Sequence, residues 1–380
     1  MKQLKISFFV FLMLVSCQHK PDMQNVNSSE RNDADGFHAE KFSLERYNGY
    51  NLLTVYSPWQ QAGSNSFSYL TGPGNALIPD SLENIPFIKW PVERAVIMST
   101  TYVPFLDTLN VLSCVKGVSG LKFIYNEKLR SLIRDGYVRD VGYDQNLNIE
   151  VIAEIDPDVV FMYGVQSGVV QTKKKLEELG IPVVLCADYL EPDPLGRMEW
   201  LRFFAAFFNK IDLADSICMD IRNKYMAVAE KASDERNRPK VLLGMPWKDT
   251  WYIAGGNSYA ARLITDAGGS YLFGDLQNEE AVPVDIEAVF LKAMDADIWL
   301  NPGVANSMDA IIQHDERFSM LQVFTEGHIY ANSKRLSSGG GNDYWESGIL
   351  YPDRILRDLY AIFHSTVDSD SGLFYYFRLD

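Results

Sequence analysis

Histidine is scarce. There are five in 380 residues, and His19, His38 and His364 lie near the chain ends. A cleft meant for bare zinc or manganese would lack its usual imidazole ligands. No His-Glu-x-x-His, Gly-x-Ser-x-Gly or Gly-x-x-x-x-Gly-Lys pattern occurs, so the corresponding enzyme classes find no support. Positive charge is short: 35 Lys and Arg face 50 Asp and Glu, for a net charge of −15. That balance argues against a phosphate-backbone partner and excludes nucleic acid from the expected partners. Cysteine is sparse too. Cys114, Cys186 and Cys218 sit in apolar stretches without paired spacing, so they read as small buried hydrophobes rather than a disulfide framework. Beyond the first 17 residues no apolar run is long enough to span a bilayer.

The N-terminus carries what the rest lacks. Lys2 and Lys5 precede a short, nearly all-apolar run, Ile6 to Val15, followed by Leu14-Val15-Ser16-Cys17. The run suits a signal-peptide core, and its Leu-x-Ser-Cys ending resembles the bacterial lipobox. That resemblance implies cleavage before Cys17, lipidation of its thiol and an extracytoplasmic, lipid-anchored protein. An ordinary secretory signal with an incidental cysteine is the plainer alternative. The polar segment 18–42 has too few apolar residues to fold and is expected to be a flexible tether.

From Arg94 the chain alternates short apolar strands with amphipathic helices. Ala95–Met98, Val159–Met162, Pro182–Cys186, Val241–Leu243 and Ile298–Leu300 read as strands. Ile149–Ile155, Tyr259–Ala267, Ile286–Ala293 and Asp353–Phe363 read as helices. Such alternation predicts the α/β class, with mainly parallel sheets. Between Pro194 and Ala232 no strand appears, and Leu213, Ile217, Ile221, Tyr225 and Val228 recur at helical spacing. The expected organisation is therefore an α/β lobe over 43–210, a connecting helix over 211–238 and a second α/β lobe over 239–380. Phe42–Trp59 alternates as a strand or hairpin does, and the Pro, Gly, Ser and Asn that follow predict loop to about Asp80.

Asn148-Ile149-Glu150 leads through a helix to Asp156-Pro157-Asp158-Val159-Val160, and Asp285-Ile286-Glu287 leads to Asp295-Ala296-Asp297-Ile298-Trp299. The loose repeat supports two related lobes. Asn148 and Asp285 are candidate N-caps, which puts Glu150 and Glu287 in first turns, where they favour the helix dipole. Trp251-Tyr252-Ile253-Ala254-Gly255-Gly256-Asn257-Ser258-Tyr259 runs on to Asp266-Ala267-Gly268-Gly269. Together, over about Ala95 to Phe363, these segments resemble the substrate-binding proteins of ABC importers for ferric siderophores, haem and cobalamin. The resemblance implies a monomer that delivers such a cargo to a permease and ATPase complex, with no cofactor or catalysis of its own. It implies that Glu150 and Glu287, one per lobe, dock on the permease, and that the single helix keeps the lobes from closing far.

Ligands of open α/β sheets lie beyond strand carboxyl ends. Tyr102, Tyr163 and Trp247 follow strands, Trp251, Tyr252 and Tyr259 belong to the second-lobe segment, and Tyr344 and Trp345 follow Gly339-Gly340-Gly341. Aromatic faces suit a macrocycle or catecholate, and Lys334 and Arg335 suit a negative group on it. With 20 Tyr and 21 Phe in the chain, each candidate aromatic has a place in the core as its alternative. A surface lipoprotein enzyme, a carbohydrate-binding protein, or a sensory protein of the same fold are the competing classes. Catalytic turnover would separate the first, and a neighbouring permease would count against the last.

Overall fold

Two mainly parallel sheets follow from runs of short strands, most of them apolar and buried on both faces. The computed structural model describes residues 37–143, 146–248, 250–364 and 372–380; Cys17 and most of the expected tether lie outside them. The chain opens with β1 (Phe42–Tyr47), β2 (Tyr50–Tyr56), β3 (Ser66–Gly72) and β4 (Phe87–Lys89), paired in that order. β1–β2–β3 is an antiparallel meander turned at Asn48-Gly49, and β4 joins β3 in parallel. The first lobe holds β5 (Ala95–Ile97), β6 (Val115–Val118), β7 (Arg139–Asp140), β8 (Val159–Met162) and β9 (Val183–Leu185), all parallel in the order β7-β6-β5-β8-β9.

The helix Ile211–Ser233 leads to the second lobe. There β10 (Lys240–Leu243), β11 (Thr250–Ile253), β12 (Ser270–Tyr271), β13 (Val282–Asp285), β14 (Ile298–Leu300), β15 (Ile329–Ala331) and β16 (Phe377–Arg378) form two sheets. The main one runs β12-β10-β14-β15-β16 and is parallel except for β16, while β11 and β13 make a separate antiparallel ribbon. Among the described residues no helix is long and apolar enough to cross a membrane.

The repeat seen in sequence has a physical basis. In each lobe an Asx side chain caps the helix: Asn148 Oδ1 accepts from Val151 N at 3.0 Å, and Asp285 Oδ1 accepts from Glu287 N at 3.0 Å. In each lobe the acidic residue before the next strand then ties down its neighbour. Asp158 Oδ2 accepts from Arg94 N at 2.9 Å, and Asp297 Oδ2 accepts from Lys240 N at 2.7 Å. These carboxylates satisfy orphan N–H groups where β5 and β10 begin.

The core of the first lobe is aromatic. The helix Pro194–Ala205 buries Trp200, Phe203 and Phe204. Phe204 packs on Phe105, Phe161 and Tyr102 with ring centroids 5.2, 5.0 and 5.1 Å away. Phe42 of β1 meets Trp200 at 4.9 Å, so the meander shares this core.

Two expectations change. Residues 37–42 are not a loose tether: the Glu199 carboxylate accepts from the backbones of His38 and Ala39, and the Glu191 carboxylate from those of Glu40 and Lys41, all at 2.7–2.9 Å. Four backbone-to-carboxyl hydrogen bonds hold the segment against the first lobe. The stretch expected to be loop contains β3, whose Tyr69 and Leu70 are buried and whose Tyr69 hydroxyl accepts a hydrogen bond from Leu185 N of the first lobe at 2.9 Å.

Candidate ligand cleft

Strand order decides where the cleft opens. In the second lobe the chain leaves β10 toward β12 on one side and β14 on the other, a switch point that leaves a crevice beyond the two carboxyl ends. Leu243 and Gly244 after β10 and Asn301 after β14 line a cleft of about 630 Å³ there. The second lobe adds Tyr252 from β11, Tyr259 from the start of helix Tyr259–Asp266, Glu279, Glu280, Tyr344 and Trp345. The first lobe faces them with Tyr189–Pro192, the segment after β9, and with Arg197. The third contributor is the β2–β3 loop, residues 57–63, which includes Trp59.

The charge in this cleft is unusual. Arg197 Nε and Nη2 donate to the carbonyls of Glu191 and Tyr189 at 2.8 and 2.7 Å, and the guanidinium stacks 3.9 Å from the centroid of Tyr259. Among the described residues it has no carboxylate within ion-pair distance. Burial pulls its pKa below the ordinary arginine value, against the fields of Tyr259 and Asp188. A desolvated guanidinium held by neutral carbonyls keeps its electrostatic reach for an incoming anion. The Asn301 amide bonds the Tyr344 and Tyr376 hydroxyls, while its buried Oδ1 has no partner among the described residues. Beneath the cleft, burial raises Asp188 to about 6, although Thr101 Oγ1 donates to it at 2.8 Å. Burial also raises Glu191 to about 7.

The expected residues divide. Tyr252, Tyr259, Tyr344 and Trp345 line the cleft. Tyr163 stands behind it, its ring 6.1 Å from that of Tyr189. Tyr102 and Trp251 do not reach it. Tyr102 is fully buried against Phe204, and Trp251 is fully buried between Trp299 and Phe318. Trp247 is exposed on a tight turn with Lys248 over its ring, outside the lining. Arg335 is engaged elsewhere, 2.6 Å from Asp343 and stacked on Phe374. Lys334 Nζ donates to Leu373 O at 2.6 Å. Trp59, Tyr189 and Arg197 were not expected. Tyr189 follows a strand, as the rule requires, whereas Arg197 sits inside a helix whose sequence reads as core.

Glu150 and Glu287 are both exposed in first turns of capped helices. Glu287 is loosely held by Arg317 at 3.4 Å, and Glu150 has no such partner among the described residues. No group of three or more His, Cys, Asp or Glu is placed to hold a metal ion among the described residues.

A model of the family described as periplasmic binding protein matches residues 107–336. A lipoprotein of Methanocaldococcus jannaschii is 30% identical over 291 residues, covering 74% of this chain and 67% of its own. A second lipoprotein from that organism is 26% identical over 377 residues, with 94% and 92% covered. The fold is similar to that of a periplasmic haem-binding protein from Pseudomonas aeruginosa, with TM-score 0.55, 18% identity, and 72% of this chain and 92% of that one covered. It is also similar to a protein of an ABC-type Fe3+-hydroxamate transport system from Saccharomonospora viridis, with TM-score 0.53, 18% identity, and 72% and 93% covered.

Proposed function

The chain belongs to the periplasmic binding protein family, and on that premise we propose that it is the lipid-anchored, extracytoplasmic receptor of an ABC importer whose cargo is a ferric siderophore, haem or cobalamin. The observation that carries the reading is the cleft itself. It has about 630 Å³ of space, aromatic walls from both lobes, and the Arg197 guanidinium, which has no carboxylate partner among the described residues. That volume is in the range of small-molecule and cofactor sites. Flat rings on Tyr252, Tyr259 and Trp345 offer stacking area to a conjugated or macrocyclic cargo at low entropic cost. Arg197 favours a cargo that carries a negative group. The receptor holds its cargo and releases it unchanged. Cys17 supplies the anchor, and Glu150 and Glu287 present one carboxylate per lobe to the permease and ATPase complex.

The test is a titration of protein lacking residues 1–17 with cobalamin, haemin, a ferric tris-catecholate and a ferric hydroxamate chelate. Tryptophan fluorescence gives the curve, and calorimetry checks it against optical artefacts. The expected result is saturation at one ligand per chain with submicromolar affinity for one class. No saturation by any of the four removes this reading.

A further inference from the structure

The β2–β3 loop lies outside the stretch matched by the family model, which begins at residue 107, yet it supplies one side of the cleft. It is built as a fixed part of the first lobe. Trp59 and Ala62 are buried in a cluster with Val96, Val160, Met162 and Leu185 of that lobe's sheet, and the Trp59 ring lies 6.1 Å from Phe67. The loop closes on itself through Ala62 N to Trp59 O at 3.1 Å and Ser57 N to Asn65 O at 2.8 Å. The backbone of Gln60 abuts the Tyr189 hydroxyl, which donates to Gly164 O at 2.7 Å. Two inward residues thus pin the loop, while Gln60 and Gln61 between them are exposed and line the cleft. Gln61 holds φ at 61°, a left-handed conformation that a non-glycine residue adopts at some cost. Among the described residues neither side-chain amide has a hydrogen-bond partner.

We propose that Gln60 and Gln61, on this fixed loop, form a third wall of the ligand site that recognises an uncharged hydrogen-bonding edge of the cargo, such as its amide or hydroxyl groups. Each amide offers two N–H donors and a carbonyl acceptor, so the pair matches either kind of neutral group. The wall completes a division of labour: Arg197 takes negative charge, the aromatic rings take flat faces, and the amides take a neutral polar rim. Because the loop is anchored to one lobe, it contributes without having to close. This inference rests on the receptor reading given above.

The experiment compares wild type with a Gln60→Ala, Gln61→Gly double variant, using the same four ligands. Glycine suits the φ of Gln61, so the change relieves backbone strain. Gln60→Ala alone repeats the test without touching that position. The expected result is a melting temperature no lower than that of wild type and affinity weaker by roughly ten-fold for the class that wild type binds, the loss of about one to two net hydrogen bonds. Equal affinity in wild type and both variants overturns the third wall and leaves the receptor standing. A wild type that binds none of the four overturns the receptor, and the third wall with it.

Discussion

On the receptor proposal, Arg197 is the residue that meets a negative group on the cargo. Its two carbonyl bonds and its stack on Tyr259 fix the guanidinium but do not neutralise it. Replacing it with Gln keeps a donor and removes the charge. The expected outcome is affinity weaker by roughly 10–100-fold, the range of a charge-assisted hydrogen bond. A loosened Tyr189–Pro192 segment could also weaken binding, so the deciding readout is salt. Wild-type affinity should fall with ionic strength and the variant's should not; parallel salt dependence would show that Arg197 acts only on structure. Asp188 gives a prediction on stability. Its folded pKa, about 6, lies above the ordinary carboxyl value, so the folded chain holds a proton where the unfolded chain has lost one. Its contribution is fully present below about pH 4 and is lost as pH rises through about 6. Asp188→Asn keeps an acceptor for Thr101 and removes the titration. The expected change is a flatter fall of unfolding free energy between pH 4 and 6, by roughly 2–3 kcal/mol. Urea melts at several pH values measure it, and an unaltered slope would assign the titration to other groups.

Helices and strands differ in how openly the sequence announces them. Ile149–Ile155 and Ile286–Ala293 were legible residue by residue because each starts at an Asx cap and ends before an acidic pair, all local signals. The long helix was legible from its spacing alone. β3 was not, because Ser, Thr and Gly around Tyr69 and Leu70 look like a loop until β2 is placed beside them. The cleft shows the same limit. On β11 Trp251 and Tyr252 are neighbours, and period two sends Trp251 into the core and Tyr252 into the cleft. Both are aromatic, so composition could not tell which face was which. Trp59 belongs to the site only through its long-range packing on β8 and β9. The helix Pro194–Ala205, by contrast, reads as core from Trp200, Phe203 and Phe204 and is buried on nearly every side, so loss of one of its large side chains should be severe. Phe204 touches the rings of Tyr102, Phe105 and Phe161, from two other segments of the lobe. Phe204→Ala is expected to cost about 3–5 kcal/mol, cavity included. A cost under about 1 kcal/mol by urea unfolding would mean that the first-lobe core repacks freely.

At the scale of the whole molecule Glu150 and Glu287 are outward carboxylates, one in each lobe, at equivalent places in a repeated design. A single exposed ion pair contributes about 0–1 kcal/mol, too little to hold a receptor on a permease. Two pairs on separate lobes, however, define an orientation, and they would favour a receptor whose lobes keep a set distance. The helix Ile211–Ser233 suits that need, since it packs along both the helix Pro194–Ala205 and the C-terminal helix Pro352–His364. The pair is not quite symmetric. Arg317 lies 3.4 Å from Glu287 while it binds Asp315 at 2.7 Å, so it compensates the Glu287 charge only in part, whereas Glu150 has no ion-pair partner among the described residues. Charge reversal at both sites, Glu150→Arg with Glu287→Arg, is expected to abolish uptake in cells while ligand titration of the purified variant matches wild type. Glu150→Arg alone should do more harm than Glu287→Arg alone, because it removes the uncompensated charge. Full uptake by the double variant would show that the permease reads another surface. Loss of ligand binding together with uptake would show that the first turns of these helices support the cleft rather than the docking.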